Sequence, residues 1–532
     1  MLSALAGVLA VPLFFVLATT VRRDSLRGTV VALALGVHCF AWSSLVPQTV
    51  CDAVVVACLV LLLLTAAFPR DGVPLHLGVA PMLLLALFAS ASLITLVAYP
   101  PGFGLVLRMT LLAGLVVLVL AQAGPADRRR VVDGVVVVAV LQALAGLVEF
   151  VRGEPLLWGY KVFETGRALW NENHLLGGDL VRVQGTMSHA LPYGTLLMVG
   201  LVLLLTTWHR RRPGARWAAF VLLGTCIVLS GSRSAVVAAV LTLAYLLASS
   251  RRAATWHRGS IVAAAAAGVA LVSWTAIAQT ADTLLSSGSY LNRAGHYAAV
   301  PRLIGRPALE ALFGSGESSE ARLFAQGYFF GTGFNVVDNQ LLSSLATQGL
   351  FGVGLVIAVF VASAAHGTRE VRACLIVFTS ALMTFDFFRM TTMVLLLAVV
   401  VCLSDRGWRR GADDPAEPAE HDVPARPAAA EGRAPAARGA RAAGHGARAA
   451  GHRCPVRASA DGEGSRQEAR PHQARERARH LLGEVLRVRA DEERPCRDGH
   501  EPVLRREPGN GVDPDGIDAG RPCSCHARSL GL

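Results

Sequence analysis

The sequence predicts an all-α, polytopic integral membrane helix bundle of about 12–13 transmembrane helices, with two longer extracytoplasmic loops and a disordered C-terminal tail. Three observations predict it. Hydrophobic residues make up 53% of the chain, and mean hydropathy is +0.47. Apolar runs of about 17 to 22 residues recur, close to the roughly 20 residues a helix needs to cross a bilayer. Arginines punctuate those runs at every second connection, as expected when basic residues are retained on the cytoplasmic side.

Taken in order, residues 1–151 hold the N-terminal transmembrane helices, with apolar runs at 2–21, 28–46, 52–68, 78–99, 104–122 and 131–151. The first run lacks a basic leader and a small-residue cleavage site, so it reads as a retained helix and not a removed signal peptide. Residues 152–186 form the first long extracytoplasmic loop. Residues 187–278 return to membrane helices at 187–207, 217–231, 234–250 and 260–278. Residues 279–338 are the large extracytoplasmic loop, and 339–404 carry the C-terminal spans at 339–364, 371–385 and 389–404.

The connections RRDSLR, PRDG, ADRRR, HRRRPGAR, RRAATWHR, HGTREVR and RGWRR carry the arginines, whereas the alternate loops near 47–51 and 100–103 carry none. This places the N-terminus outside and the C-terminal tail inside. The net charge of +12 belongs entirely to the membrane part, because from residue 411 onward arginines and acidic residues balance. Nucleic-acid binding is therefore not indicated, and anionic membrane lipids are the natural neighbours of the basic face.

Residues 405–532 are a different material, dominated by Ala, Arg, Gly, Pro and His. APAARGARAAGHGARAAGHRC approaches low complexity, and such composition lacks the apolar content to offset ordering entropy. The change is abrupt enough that an out-of-frame extension is one reading, which resequencing around the codon for Trp408 decides. Cys39, Cys51, Cys58, Cys226, Cys374 and Cys402 lie in or beside spans, so no disulfide framework is implied. Cys523, Cys525 and His526 lack the spacing of a zinc module, and no metal or cofactor is expected.

Chemistry outside the membrane has no ATP to draw on, so a reaction there needs an activated lipid carrier or an ion gradient. A pyrophosphate carrier calls for arginines, whose planar fork binds phosphate oxygens bidentately. A hydroxyl acceptor calls for a carboxylate or histidine base. Both long loops are basic: Arg152, Lys161, Arg167 and Arg182 in the first, Arg293, Arg302, Arg306 and Arg322 in the second. Such charge on a translocated face points to an anionic ligand, although long loops tolerate charge regardless of topology. Arg182 precedes the seventh span, Arg233 sits in the tight SGSRS turn, and Arg293 opens the final loop. Each reads either as a snorkelling anchor or as a ligand. Asp338 reads either as the cap of the helix that follows or as a base activated beside arginines.

These blocks resemble the bacterial O-antigen ligase and polymerase group of membrane proteins. The likeness rests on RVQGTMSHALPYGTLL, with Arg182, Gly185 and Pro192; on LSGSRSAVVAAV, with Ser232 and Arg233; and on the loop from Arg293 through LFGSG to DNQLLSSLATQGLFG, with Gly314, Gly316, Asn339, Gly349 and Gly352. It covers roughly residues 170–365, the earlier spans matching by hydropathy alone. It implies a metal-independent glycosyltransferase acting on undecaprenyl-pyrophosphate-linked glycan in cell-surface polysaccharide assembly, alongside other assembly proteins. Arg182, Arg233 and Arg293 would hold the pyrophosphate, and Asp338 would act on the acceptor with Asn339 beside it. Ligases of the group tend to carry His-Asn where this chain has Asp338-Asn339, which favours a polymerase-like reading. His189 and His296 are possible substitutes at the acceptor site. The rival reading is a secondary transporter or flippase for a polysaccharide or its lipid-linked precursor. Such a protein would show internal repeats or ionisable residues at depth, where Arg108, Asp133 and the Asp386–Arg389 pair are the available residues.

Overall fold

The structure is a computed structural model that describes residues 2–41, 46–68, 75–157, 173, 176, 180–187, 189–207, 212–249, 297–329 and 337–404. The span expected at 260–278, Arg293, His296, most of the first long loop and the tail lie outside the described residues.

Among the described residues every regular element is helical. The long helices are α1 (Leu2–Thr20), α2 (Leu26–Ala41), α3 (Gln48–Ala67), α4 (Val79–Ala98), α5 (Phe103–Ala121), α6 (Pro125–Arg152), α7 (Ala190–Thr206), α8 (Pro213–Leu229) and α9 (Arg233–Ala248). Three short helices follow in the large loop: α10 (Val300–Ile304), α11 (Ala308–Phe313) and α12 (Glu320–Ala325). The chain ends with α13 (Gln340–Thr347), α14 (Gly349–His366), α15 (Arg369–Leu382) and α16 (Thr391–Cys402).

Six of these helices are long and apolar enough to cross a membrane: α1, α3, α4, α6, α14, and α5 with the 3-10 turn before it. Helices α7, α8, α9 and α16 are apolar but shorter. The chain is thus a multi-pass membrane protein by length and composition. Apolar side chains all round these helices leave either lipid or other helices as their solvent. Helix α1 keeps an exposed apolar face, including Leu9, Phe15 and Val16, and packs on α3. At the other extreme, every residue of α16 is buried. That helix is the axis of the bundle, packed by α2, α4, α5, α7 and α15.

The expected span at 339–364 is two helices, not one. Helix α13 ends at Thr347 and α14 starts at Gly349, which has φ +67°. A side chain there would be strained, and its Cβ would lie 2.4 Å from the Leu312 carbonyl carbon and 2.6 Å from the Gly314 amide. The LFGSG turn therefore wedges against the break, which only glycine permits. The consequence is local: α13 carries buried Gln340, Ser343, Ser344 and Thr347, which a lipid-facing span would not bear.

The large loop is likewise built onto the bundle. Arg306 is buried and donates to the Leu345 and Ala346 carbonyls at 2.9 and 3.2 Å and to Ser315 Oγ at 2.7 Å. A cation on the last carbonyls of α13 satisfies groups the helix leaves open. Arg322 donates to the Ser315 carbonyl at 3.2 Å and lies over the Tyr99 ring, and Arg302 donates to the Gly327 carbonyl at 3.1 Å. These three arginines hold backbone, which corrects the expectation that the basic loop as a whole receives an anion.

Candidate functional site

One end of the bundle gathers the C-termini of α4, α6, α8 and α15 with the N-termini of α5, α7, α9 and α16. Two polar sites form there.

The first begins on α6. Gln142 and Glu149 are seven residues apart, so they share one face of that helix, and both are buried. Glu149 Oε2 accepts the Gln184 and Gly185 amides at 3.0 and 2.7 Å. Gln142 Oε1 accepts the Thr186 amide at 3.2 Å, while its Nε2 donates to Thr186 Oγ1 at 2.7 Å. Hydrogen bonds to a carboxyl are the strong kind, so α6 fixes the RVQGT backbone. Arg182 is thereby set against the end of α8. Its Nε donates to the Ser230 carbonyl at 3.0 Å, and Val183 N and Asn173 Nδ2 both donate to the Leu229 carbonyl at 3.1 and 3.0 Å.

Gly231, with φ +59°, makes the turn between α8 and α9. A Cβ there would sit 2.8 Å from Asn173 Oδ1 and 2.9 Å from Arg182 Cγ. Ser232 caps α9 by accepting the Ala235 amide at 3.3 Å. Arg233 follows as the first residue of α9, where the helix dipole disfavours a cation. Burial, and after it the neighbouring Arg233 guanidinium, hold Arg182 below the usual arginine range. Two guanidiniums and a helix N-terminus in one corner form a place where an anion is worth most.

The second site is acidic and was not foreseen. Glu317 follows the LFGSG turn, and its amide donates to Thr95 Oγ1 at 3.0 Å. Its Oε1 accepts Thr347 Oγ1 at 3.0 Å and Gln348 Nε2 at 2.9 Å. Arg389 ion-pairs with Glu320 and, through Nε, with Asp386 Oδ2 at 3.2 Å. Asp386 also accepts Ser343 Oγ at 2.6 Å, and the Phe388 amide donates to Gln340 Oε1 at 2.7 Å. Burial pushes the Asp386 carboxyl up to about 7, against the pull of Arg389 and with a further push from Glu317 and Glu320. Glu317 is raised as well, by burial first and Glu320 next. A cleft walled by Phe88, Met109 and Phe388 ends on Glu317, Gln348 and Arg389. The two sites are linked, since Ser380 Oγ near the end of α15 donates to the Ser234 carbonyl at 3.1 Å.

Of the expected site residues, the structure brings Arg182 and Arg233 together. Arg293 and His296 lie outside the described residues. His189 is the cap of α7, its Nδ1 accepting the Leu191 amide at 3.2 Å. The cap of α13 is Asn339 and not Asp338: Asn339 Oδ1 accepts the Leu341 and Leu342 amides at 2.9 and 3.1 Å, and its Nδ2 donates to Tyr297 Oη at 3.2 Å. Asp338, half-buried, is left for another use. Arg108 pairs with Asp52 at 2.6 Å, and the Asp386–Arg389 pair belongs to a turn and to the acidic site at once. Among the described residues no three His, Cys, Asp or Glu side chains converge as metal ligands. No protein-family model and no curated protein matches the chain.

Proposed function

We propose that the chain is a glycosyltransferase-type polymerase or ligase of the O-antigen ligase and polymerase kind. It acts in the bacterial cytoplasmic membrane, with its N-terminus outside and its tail cytoplasmic, on undecaprenyl-pyrophosphate-linked glycan at the outer face. The observation that carries this reading is the Arg182–Arg233 pair at the start of α9, two cations set close enough to repel. Repulsion between them is relieved by a bound dianion, and pyrophosphate offers oxygens to both forks. Supporting the orientation, arginines at the opposite end of the bundle hold helix-end carbonyls. Arg27 donates to the Phe68 carbonyl at 2.8 Å and Arg372 to the Ala364 carbonyl at 2.8 Å.

In this reading the acceptor hydroxyl oxygen forms a bond to the anomeric carbon as the bond from that carbon to the pyrophosphate oxygen breaks. Asp338 takes the hydroxyl proton, and the leaving undecaprenyl pyrophosphate carries its charge onto Arg182, Arg233 and Arg293. Asn339, His189 and His296 border the acceptor, with Asn339 already committed to a cap.

The test is to replace Arg233 or Asp338 by Ala in the native host, confirm membrane levels, and analyse lipid-linked glycans. A polymerase defect leaves single repeat units on the carrier, and a ligase defect leaves long polymer unattached to its acceptor. Precursor trapped on the cytoplasmic leaflet marks the rival transporter or flippase instead. Normal glycans in a null strain sink the assignment.

A further inference from the structure

The acidic site holds three carboxyl groups around one guanidinium. Glu317 and Glu320 come from the loop segment, Asp386 and Arg389 from the turn before α16, and the Glu320 and Asp386 side chains are only 5% and 9% exposed. Helices α4 and α13 and the break after α13 contribute neutral groups: Thr95, Ser343, Thr347 and Gln348. Arg322, two residues past Glu320, is turned to the Ser315 carbonyl and the Tyr99 ring. With all three carboxyls ionised the site would bury two uncompensated negative charges, which a dry interior does not sustain.

A second observation points the same way. Glu320 Oε1 and Gln348 Oε1 are both buried and have no hydrogen-bond partner among the described residues. Both residues are 3% exposed, and Gln348 lines the cleft beside Glu317 and Arg389. Both oxygens are acceptors lacking a donor. What the site lacks is therefore positive charge and a donor together. A metal would supply the first, but the carboxyls do not converge as metal ligands. A proton on a carboxyl oxygen supplies both, because it removes a charge and turns an acceptor into a donor.

We propose that Glu317, Glu320 and Asp386 form a proton-binding site around Arg389, which holds at least one proton at neutral pH and releases the Glu317–Glu320 segment from the Asp386–Arg389 turn when that proton leaves for water. This does not depend on the glycan reading. Carboxyls raised in the folded state favour closure below their folded values, and that contribution is lost as pH rises through about 7 for Asp386.

The full chain in lipid nanodiscs, titrated from roughly pH 5 to pH 9 and followed by infrared spectroscopy, tests this. A protonated-carboxyl stretching band is expected at the acid end, fading through neutrality and reduced in Asp386→Asn, Glu317→Gln and Glu320→Gln. Thermal unfolding gives the second measurement. Wild-type Tm falls as pH rises across neutrality, and Asp386→Asn flattens that fall; if it does not fold, the two Gln variants carry the test. A band untouched by every variant overturns the proposal. So does a Tm that follows sodium concentration and ignores pH, which would make the ligand a metal cation.

Discussion

The two polar sites at this end of the bundle are built on opposite logic. The arginine corner is assembled from turns next to one another in space, with carbonyls and backbone amides as its framework, and it keeps like charges half-exposed. The acidic site is assembled from side chains drawn from the loop, the break after α13 and the turn before α16, and it buries opposite charges in unequal number. An exposed like-charged pair is poised for a ligand of the other sign, whereas a buried unequal cluster must settle its own charge. The first is suited to binding and the second to holding the fold in a state that depends on protons.

Mutations separate these roles. The largest effect is expected from Arg389→Ala, which strips the counter-charge from three carboxyls. Removing one partner of a buried ion pair costs about 3–5 kcal/mol, so thermal unfolding in detergent should show a large drop in Tm, greater at high pH than at low. Equal loss at every pH would erase the contrast. Next comes Arg233→Ala, expected to lower glycan transfer by roughly 10²–10³-fold, the scale of losing one preorganised charge donor, with Tm nearly unchanged. A comparable fall in Tm would make the corner structural. Glu149→Gln weakens the two amide contacts that set the 184–185 backbone, for about 1.5–3 kcal/mol if both are lost. It should reduce transfer without abolishing it, and a second substitution at Arg182 should then add little. The smallest is Asn339→Ala, at about 1 kcal/mol for a lost cap. It should appear in stability first, and a transfer defect far beyond that would return Asn339 to the acceptor site.

The arginine corner was legible because SGSRS and RVQG each carry their signal within a few residues: a turn too tight to bury a guanidinium idly, and a glycine beside a charge. The helices were legible because apolar length is a local property. The break at Gln348 was not, since the apolar run passes through it and only the LFGSG turn, some 35 residues earlier in the chain, forces it. The acidic site was hidden for the same reason. Glu317, Gln348, Asp386 and Arg389 are separated by stretches that say nothing of one another, and Asp386–Arg389 alone reads as a turn. One signal was available: a Gln and a Glu two helical turns apart in the otherwise apolar α6 mark a single buried face. Asp338 was taken for the cap because it comes first, yet the backbone gives that task to its neighbour.

The wholly buried α16 has a consequence for biogenesis. At twelve residues it rises about 18 Å, less than a bilayer's hydrocarbon thickness, and it meets protein on every side. It emerges from the ribosome after the helices that enclose it, so those helices must wait, with their inward faces unfilled, for a keystone that lipid alone would not hold. Arg389 arrives with that keystone, so the charge balance of the acidic site registers whether assembly has been completed.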